Sequence, residues 1–572
     1  MKLAEFEPLT EAEQVVIAGL GTGHVTVLGD GSLPGEDAGE DRQVRASLIR
    51  WLALGAAGGD AVRLHEKGLR IAWALVVSDG RADPIMAGAT PGLDLEGCWL
   101  DHDLALLGCR FEHAPVLRGA RVQTLNLEAS HLPGLQADRL EARGGVFLRR
   151  VEAKGEVRLV GARIGGNLEC VRARLENADG IALHADGLEA LGSVFLRNNF
   201  QSYGEVRLLG ARIGGDLSCK GGRFENPGGP ALNADGLEAR GAVFLAGIQV
   251  EGEVRLLGAR IGGDLDCVGG RFENPGGWAL RAQGARVTGA FLWRMGSHAD
   301  GTLDLAGAEI GHLCDDPACW PAKGDLRLNR CRYGAFVGQA ISAAERIRWL
   351  DLQKPARFGD DFWPQPWEHC AQVLREMGHA EDARTVLIAK EERQRRVRRA
   401  RVRKDTQGTC RHAIAPLNWL GDALLGALIA YGHNPRKAGL WLLVMFAIGW
   451  GVFDAAHGHD GFKPNNAFIL RSPEWAQCAD GGARRGDQPS TLDCYRDQPE
   501  AAGYPAFNAA LYSLDTLVPV VDLEMQEYWV PDEKVADWAR YYLWVHIAAG
   551  WFLALLAVAG FSGLIDTRAT RD

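Results

Sequence analysis

Between residues 155 and 280 the apolar positions follow neither a helical nor a strand period. The block GEVRLVGARIGGNLEC begins at Gly155, GEVRLLGARIGGDLSC at Gly204 and GEVRLLGARIGGDLDC at Gly252. Within the second block, Leu208, Ile213, Cys219 and Phe224 recur every five or six residues, and Val206, Ala211, Leu217 and Gly222 stand two positions before them. An apolar residue at every fifth position, preceded by a small or apolar one, predicts a chain that turns a corner every five residues. Four such sides make a coil of about twenty residues, so a repeat of 48 or 49 residues is two coils plus an excursion near the Glu-Asn-Pro-Gly-Gly after Phe224.

This spacing resembles the pentapeptide-repeat family over roughly residues 65–335, with the family's core triplet altered, as in Ala211, Arg212 and Ile213. The resemblance implies a right-handed quadrilateral β-helix with inward apolar ladders. One coil buries too little to stand alone, so coils must stack, and the ends of the stack need covers. Residues 41–55 carry Val44, Leu48, Ile49 and Leu52 at helical spacing and are expected to form an N-terminal cap within a capping region 1–64. Residues 340–352 are the matching candidate at the far end of a solenoid spanning 65–339. Some members of the family mimic DNA, but Arg207, Arg212 and Arg223 are mixed here with Glu205, Asp216 and Glu225. The expectation is a binding or scaffolding surface for an unidentified protein partner, without nucleic acid.

Residues 366–392 predict a helical hairpin turning at Gly378, within a helical linker 340–410. A basic run follows: Arg393, Arg395, Arg396, Arg398, Arg399, Arg401, Arg403 and Lys404. No aromatic residue accompanies it. Its place just before apolar segments suits attraction to anionic lipid and retention on the cytoplasmic side. A solvated helix face and nucleic-acid binding are the alternatives.

Apolar stretches close the chain. Residues 411–437 suit a helix lying in the membrane interface, since Asp422, Arg436 and Lys437 interrupt them. Residues 438–454 and 541–565 are long enough to cross about 30 Å of hydrocarbon. Arg568 and Arg571 follow the second, so both ends are expected to be cytoplasmic and residues 455–537 outside, in a two-span domain 438–572. Between the spans, residues 506–517 are too short to cross, and Pro519 ends them. This layout resembles the pore helix and filter of two-span potassium-type channels. By that resemblance Ser513, Asp515, Thr516, Leu517, Val518, Pro519 and Asp522 are the pore-loop candidates. The chain has Val518, Pro519, Val520 and Val521 where the resemblance calls for Gly-Tyr-Gly. A helix that only packs the hairpin is the alternative. Asp515 stands out because a buried acid is costly unless paired or wet; His546 is a candidate partner and a solvated rim position the alternative.

Composition narrows the picture. At 572 residues the chain holds several domains. Its net charge of −10 is compatible with the local basic run because the charge is unevenly spread. Of twelve cysteines, only Cys478 and Cys494 fall between the spans, where a disulfide is permitted if that segment faces an oxidising compartment. The first residues hold four acids and no apolar core, so no signal peptide is read there. Gly19 and Gly21 approach a dinucleotide fingerprint, but His24 occupies the third glycine position. His312, Cys314, Cys319 and Cys331 are loosely spaced for zinc, and buried thiols in a local turn are favoured over a metal.

The resulting expectation is a mainly β solenoid followed by an α-helical membrane domain with two transmembrane helices and a re-entrant helix, in a bacterial-type inner membrane. The solenoid would act as a sensor coupled to an ion-conducting pore, which two spans form only as a homo-oligomer. The second expectation is a membrane-anchored scaffold without a pore, and the third a membrane-associated oxidoreductase resting on the glycine pair alone. No cofactor is expected, and an enzyme is the less favoured class.

Overall fold

A computed structural model of the protein describes residues 3–55, 64–78, 91–338, 340–405, 436–479 and 491–561. The chain divides into two units, Met1–Val386 and Leu387–Asp572. The proposed interfacial helix 411–437 lies almost wholly outside the described residues.

The first unit is a parallel β-solenoid of about ten turns over residues ~104–336, consistent with a pentapeptide-repeat β-helix. Its strands are mostly two residues long and pair in parallel with the coils before and after. The five-residue period places all four pairs of the second block inside: Val206, Leu208, Ala211, Ile213, Leu217, Cys219 and Phe224 are each no more than 1% exposed. Gly222 is buried as well. Burial pushes the Cys170 thiol up to about 12, so this cysteine packs as a small apolar residue rather than a nucleophile.

The Glu-Asn-Pro-Gly-Gly segments form the expected excursions. In the strand Arg223–Asn233 the pairing register shifts between Glu225 and Pro230, and the Asn226 side-chain amide donates to the Pro230 carbonyl at 2.8 Å. Outside the coils, Arg121, Glu141, Arg163, Glu189, Arg212, Glu238 and Arg260 occupy successive rungs of one column. Each exposed pair contributes little to stability. The alternation of sign, which ends where Arg286 follows Arg260, nevertheless disfavours a slip by one coil within these rungs, since that would set like charges side by side.

The covers at both ends rest on polar chemistry. At the N-terminus, α1 (Glu11–Gly19) starts with a Thr10–Glu13 capping box, and Glu13 also holds Arg45 at 2.6 Å. Burial raises the Glu13 carboxyl, but hydrogen bonds from Arg45 and from the Thr10 backbone outweigh it and bring the group below its ordinary range. Val44, expected in a helix, lies in the strand Gln43–Arg45 and pairs with Val76. Its β-branched side chain extends the sheet, and the helix α2 (Ala46–Ala53) begins only after it, burying Leu48, Ile49 and Leu52.

At the other end, α3 (Ala343–Leu350) brings Arg346 onto Asp315 as a buried bidentate pair at 2.8 and 2.9 Å. Trp320 donates its indole N–H to the same carboxylate at 2.7 Å, and the guanidinium lies 3.8 Å from the centre of the Phe336 ring. Next, α4 (Gln365–Glu376) covers the last strand, Arg332–Phe336, and the turn before it. Gln365 Oε1 accepts from the Arg330 N–H at 2.8 Å, and its amide donates to the Cys331 carbonyl at 3.1 Å. His369 Nε2 accepts from the Tyr333 N–H at 2.8 Å. Burial lowers the His369 imidazole, which favours the neutral ring that this bond needs. After the turn at Gly378, α5 (Ala380–Asp405) carries the basic run.

Removing one partner of a buried ion pair strands the other. Asp315→Ala is therefore expected to lower stability by about 3–5 kcal/mol, read as a fall in the urea midpoint of the strand circular-dichroism signal. A loss below about 1 kcal/mol, the value of an exposed pair, would show that the cap does not depend on it.

Candidate functional site

Among its described residues the second unit has two helices long and apolar enough to cross a membrane, α6 (Arg436–Gly458) and, near the end of the chain, α11 (Asp537–Phe561). Between them lie α7 (Pro473–Ala479), α8 (Thr491–Arg496), α9 (Ala509–Leu517) and the one-turn α10 (Met525–Tyr528). The strands Phe462–Pro464 and Trp529–Pro531 pair antiparallel and tie the ends of this segment together. A disulfide joins Cys478 to Cys494, with Cα atoms 5.8 Å apart. Phe453, Phe462, Tyr512 and Trp529 centre an aromatic core that includes residues of both long helices.

The helix α9 packs against both α6 and α11. Asn508 caps it, accepting from the Leu511 N–H at 3.0 Å. Two glycines let it approach. A Cβ on Gly449 of α6 would collide with His546 and Ser513, and one on Gly550 of α11 would collide with the Leu517 carbonyl. Sequence reading did not single out either glycine, because a glycine within an apolar helix shows its purpose only when the neighbour is known.

The candidate residues separate into two sets. Ser513 faces the long helices: its hydroxyl donates to the Phe446 carbonyl at 3.0 Å and lies 3.3 Å from His546 Nε2. With that proton committed, Nε2–H is the donor toward Ser513, whose carbonyl is also 3.2 Å away. His546 Nδ1 is then the acceptor for the Tyr542 hydroxyl at 3.1 Å, a tautomer assigned from the hydrogen-bond network. Thr516 donates back to the Tyr512 carbonyl at 2.7 Å.

Asp515 does not meet His546. Two residues along a helix are about 200° apart around its axis, so Ser513 faces α11 while Asp515 faces the returning loop. Asp515 as a residue is 3% exposed, which rules out a solvated rim position, and its carboxylate accepts from the Leu523 N–H at 2.6 Å and the Gln526 N–H at 2.9 Å. The residues in the place of a filter form a turn, in which the Val518 carbonyl accepts from the Val521 N–H at 3.0 Å. Pro519 lies in that turn, and Val520 is 90% exposed at its tip. Asp522 is exposed and caps the Glu524 N–H at 3.1 Å. Among the described residues, this arrangement ties Ser513, Asp515, Thr516, Leu517 and Val518 into contacts within one chain.

The other candidates lie elsewhere. Arg393 and Arg399 donate to carbonyls of their own helix, Arg395 reaches Glu391 at 3.6 Å, and Arg396, Arg398 and Arg401 are exposed. Arg403 and Lys404 fall in the last turn of α5. Gly19 ends α1 and Gly21 comes two residues later, whereas a dinucleotide fingerprint follows a strand. Cys314, Cys319 and Cys331 are buried, and among the described residues no group of three or more His, Cys, Asp or Glu is placed to hold a metal.

No family model matches the chain, and neither a curated protein nor a solved structure matches it.

Asp515→Ala leaves two amide donors without their acceptor, at about 1–3 kcal/mol for each one that stays buried. The loop 518–528 is expected to become at least several-fold more sensitive to limited proteolysis in detergent while α6 and α11 stay intact. Unchanged cleavage would show that the carboxylate does not hold the loop.

Proposed function

We propose that this chain is an integral membrane protein that anchors a pentapeptide-like β-solenoid as a recognition scaffold. The observation that carries this reading is the engagement of the Ser513, Asp515 and Thr516 side chains within the hairpin, which leaves them holding structure rather than lining a path. In this reading α6 and α11 span a bacterial inner membrane with both chain ends in the cytoplasm. Residues 455–537 lie outside, where an oxidising compartment suits the Cys478–Cys494 disulfide. The basic run of α5 engages anionic headgroups, at about 1 kcal/mol per cation near the surface. The solenoid supplies the binding surface, because stacked coils present an extended face.

The second reading is an oligomeric pore, and one observation favours it. The half-helix α9 between two long apolar helices ends in a loop whose Val520 is exposed, so a neighbouring copy has access to it. In that reading α9 is a re-entrant helix and Asp522 stands at the mouth.

Ion flux into liposomes containing the full-length protein separates the two. The scaffold reading expects flux equal to that of empty liposomes, for the protein and for Asp515→Asn and Thr516→Val alike. Flux well above background that either substitution changes would replace it with the pore.

A further inference from the structure

One side of the solenoid carries an outward aromatic ring at every second coil. Successive rungs run Phe147, Glu169, Phe195, Ser218 and Phe244. The neighbours of each phenylalanine in the chain, such as Val146 and Leu148, are fully buried, so the alternation of the strand turns the rings outward, where they are half-buried. Coils are about 4.8 Å apart, so the rings recur at about 9.6 Å. The adjoining corner is cationic. Arg172 and Lys220 are exposed there, and the Arg197 guanidinium lies 4.2 Å from the centre of the Phe195 ring. Among the described residues none of these three has a carboxylate partner. Glu169, the acid within this stretch of the column, is already engaged by Arg149 at 3.5 Å.

We propose that this side of the solenoid binds an acidic polyproline II segment of a partner protein, laid along the solenoid axis with an apolar residue at every third position. The spacing selects the conformation. A polyproline II chain rises about 3.1 Å per residue and repeats its face every three residues, about 9.3 Å. It therefore drifts by only about 0.6 Å over the three rings. An α-helix returns after two turns, about 10.8 Å, and is out of step by about 2.4 Å. A β-strand repeats its face every two residues, about 6.8 Å. The cations select the charge: acidic residues between the apolar anchors reach Arg172, Arg197 and Lys220 without displacing an existing ion pair. Polyproline II segments dock on aromatic surfaces with little loss of conformational entropy. A nucleic-acid strand would also use rings and cations, but its charges lie on a continuous backbone that must pass Glu169, whereas the acids of a peptide reach sideways to the cationic corner.

This inference rests on the reading of the solenoid as a recognition scaffold. Its test is fluorescence anisotropy of a labelled peptide of five Leu-Pro-Glu repeats with the full-length protein in detergent. Saturable binding is expected, at least tenfold weaker for Phe195→Ser and for Lys220→Glu, and at least tenfold weaker for a peptide with Lys in place of Glu. Lys220 is exposed, so its substitution reads binding even if Phe195→Ser fails to fold. Absence of saturable binding would overturn the proposal, as would binding that ignores Lys220→Glu or that a scrambled peptide reproduces. Tighter binding of an oligothymidylate that depends on Phe195 would assign the face to nucleic acid instead. A peptide that fails to bind a protein giving no ion flux removes this proposal alone; a flux sensitive to Asp515→Asn removes the scaffold reading beneath it.

Discussion

A backbone N–H or C=O withdrawn from water must find a partner, and both units of this protein are organised around that demand. In the solenoid each coil takes its partners from the coils on either side, which solves the problem everywhere except at the two ends. The last strand there receives side chains in place of another coil: Gln365 and His369 bond to the backbone of Arg330, Cys331 and Tyr333. An uncovered strand edge would template pairing with another chain. The buried Arg346–Asp315 pair lies beside this cover and locks the helix that precedes it.

The same demand operates between the long helices. The helix α9 ends where its chain turns back between the two long apolar helices, and backbone buried there must find partners within the protein. Asp515 supplies acceptors for two amides of the returning loop, and the Val518 carbonyl is taken by the Val521 N–H. Ser513, His546 and Tyr542 hold the other side of α9 through a chain of hydrogen bonds. Polar residues in an apolar setting are thereby accounted for as fastenings. This is why the scaffold is preferred to a pore, although the order of the helices resembles a pore-loop domain.

Much of the solenoid is legible in the sequence because its period is strict. Every inward position of the block from Val206 to Phe224 is buried as the five-residue spacing requires. The helix Ala343–Leu350 falls within the segment read as the far cap. The cover by α4 is not legible, because Gln365 and His369 look like ordinary polar positions of a helical hairpin until the strand edge beside them is known. Val44 differs from its expected place for a related reason: helical spacing with Leu48 is also compatible with a strand that runs directly into a helix. In the hairpin the short helix and its break at Pro519 are readable from length and proline. The partners of Asp515 are not, since loop amides carry no signature in the sequence. Nor are Gly449 and Gly550, whose role depends on what approaches them.

On the scaffold reading, α6, α9 and α11 close on themselves within one chain and need no symmetric ring to satisfy their polar groups. The most direct measurement is the mass of the detergent-solubilised protein by mass photometry at low concentration. A monomer or dimer is predicted, in which α6 and α11 supply two or four spans, too few to enclose an aqueous path. A stable tetramer or larger ring would contradict the claim and move these same polar residues to the wall of a pore.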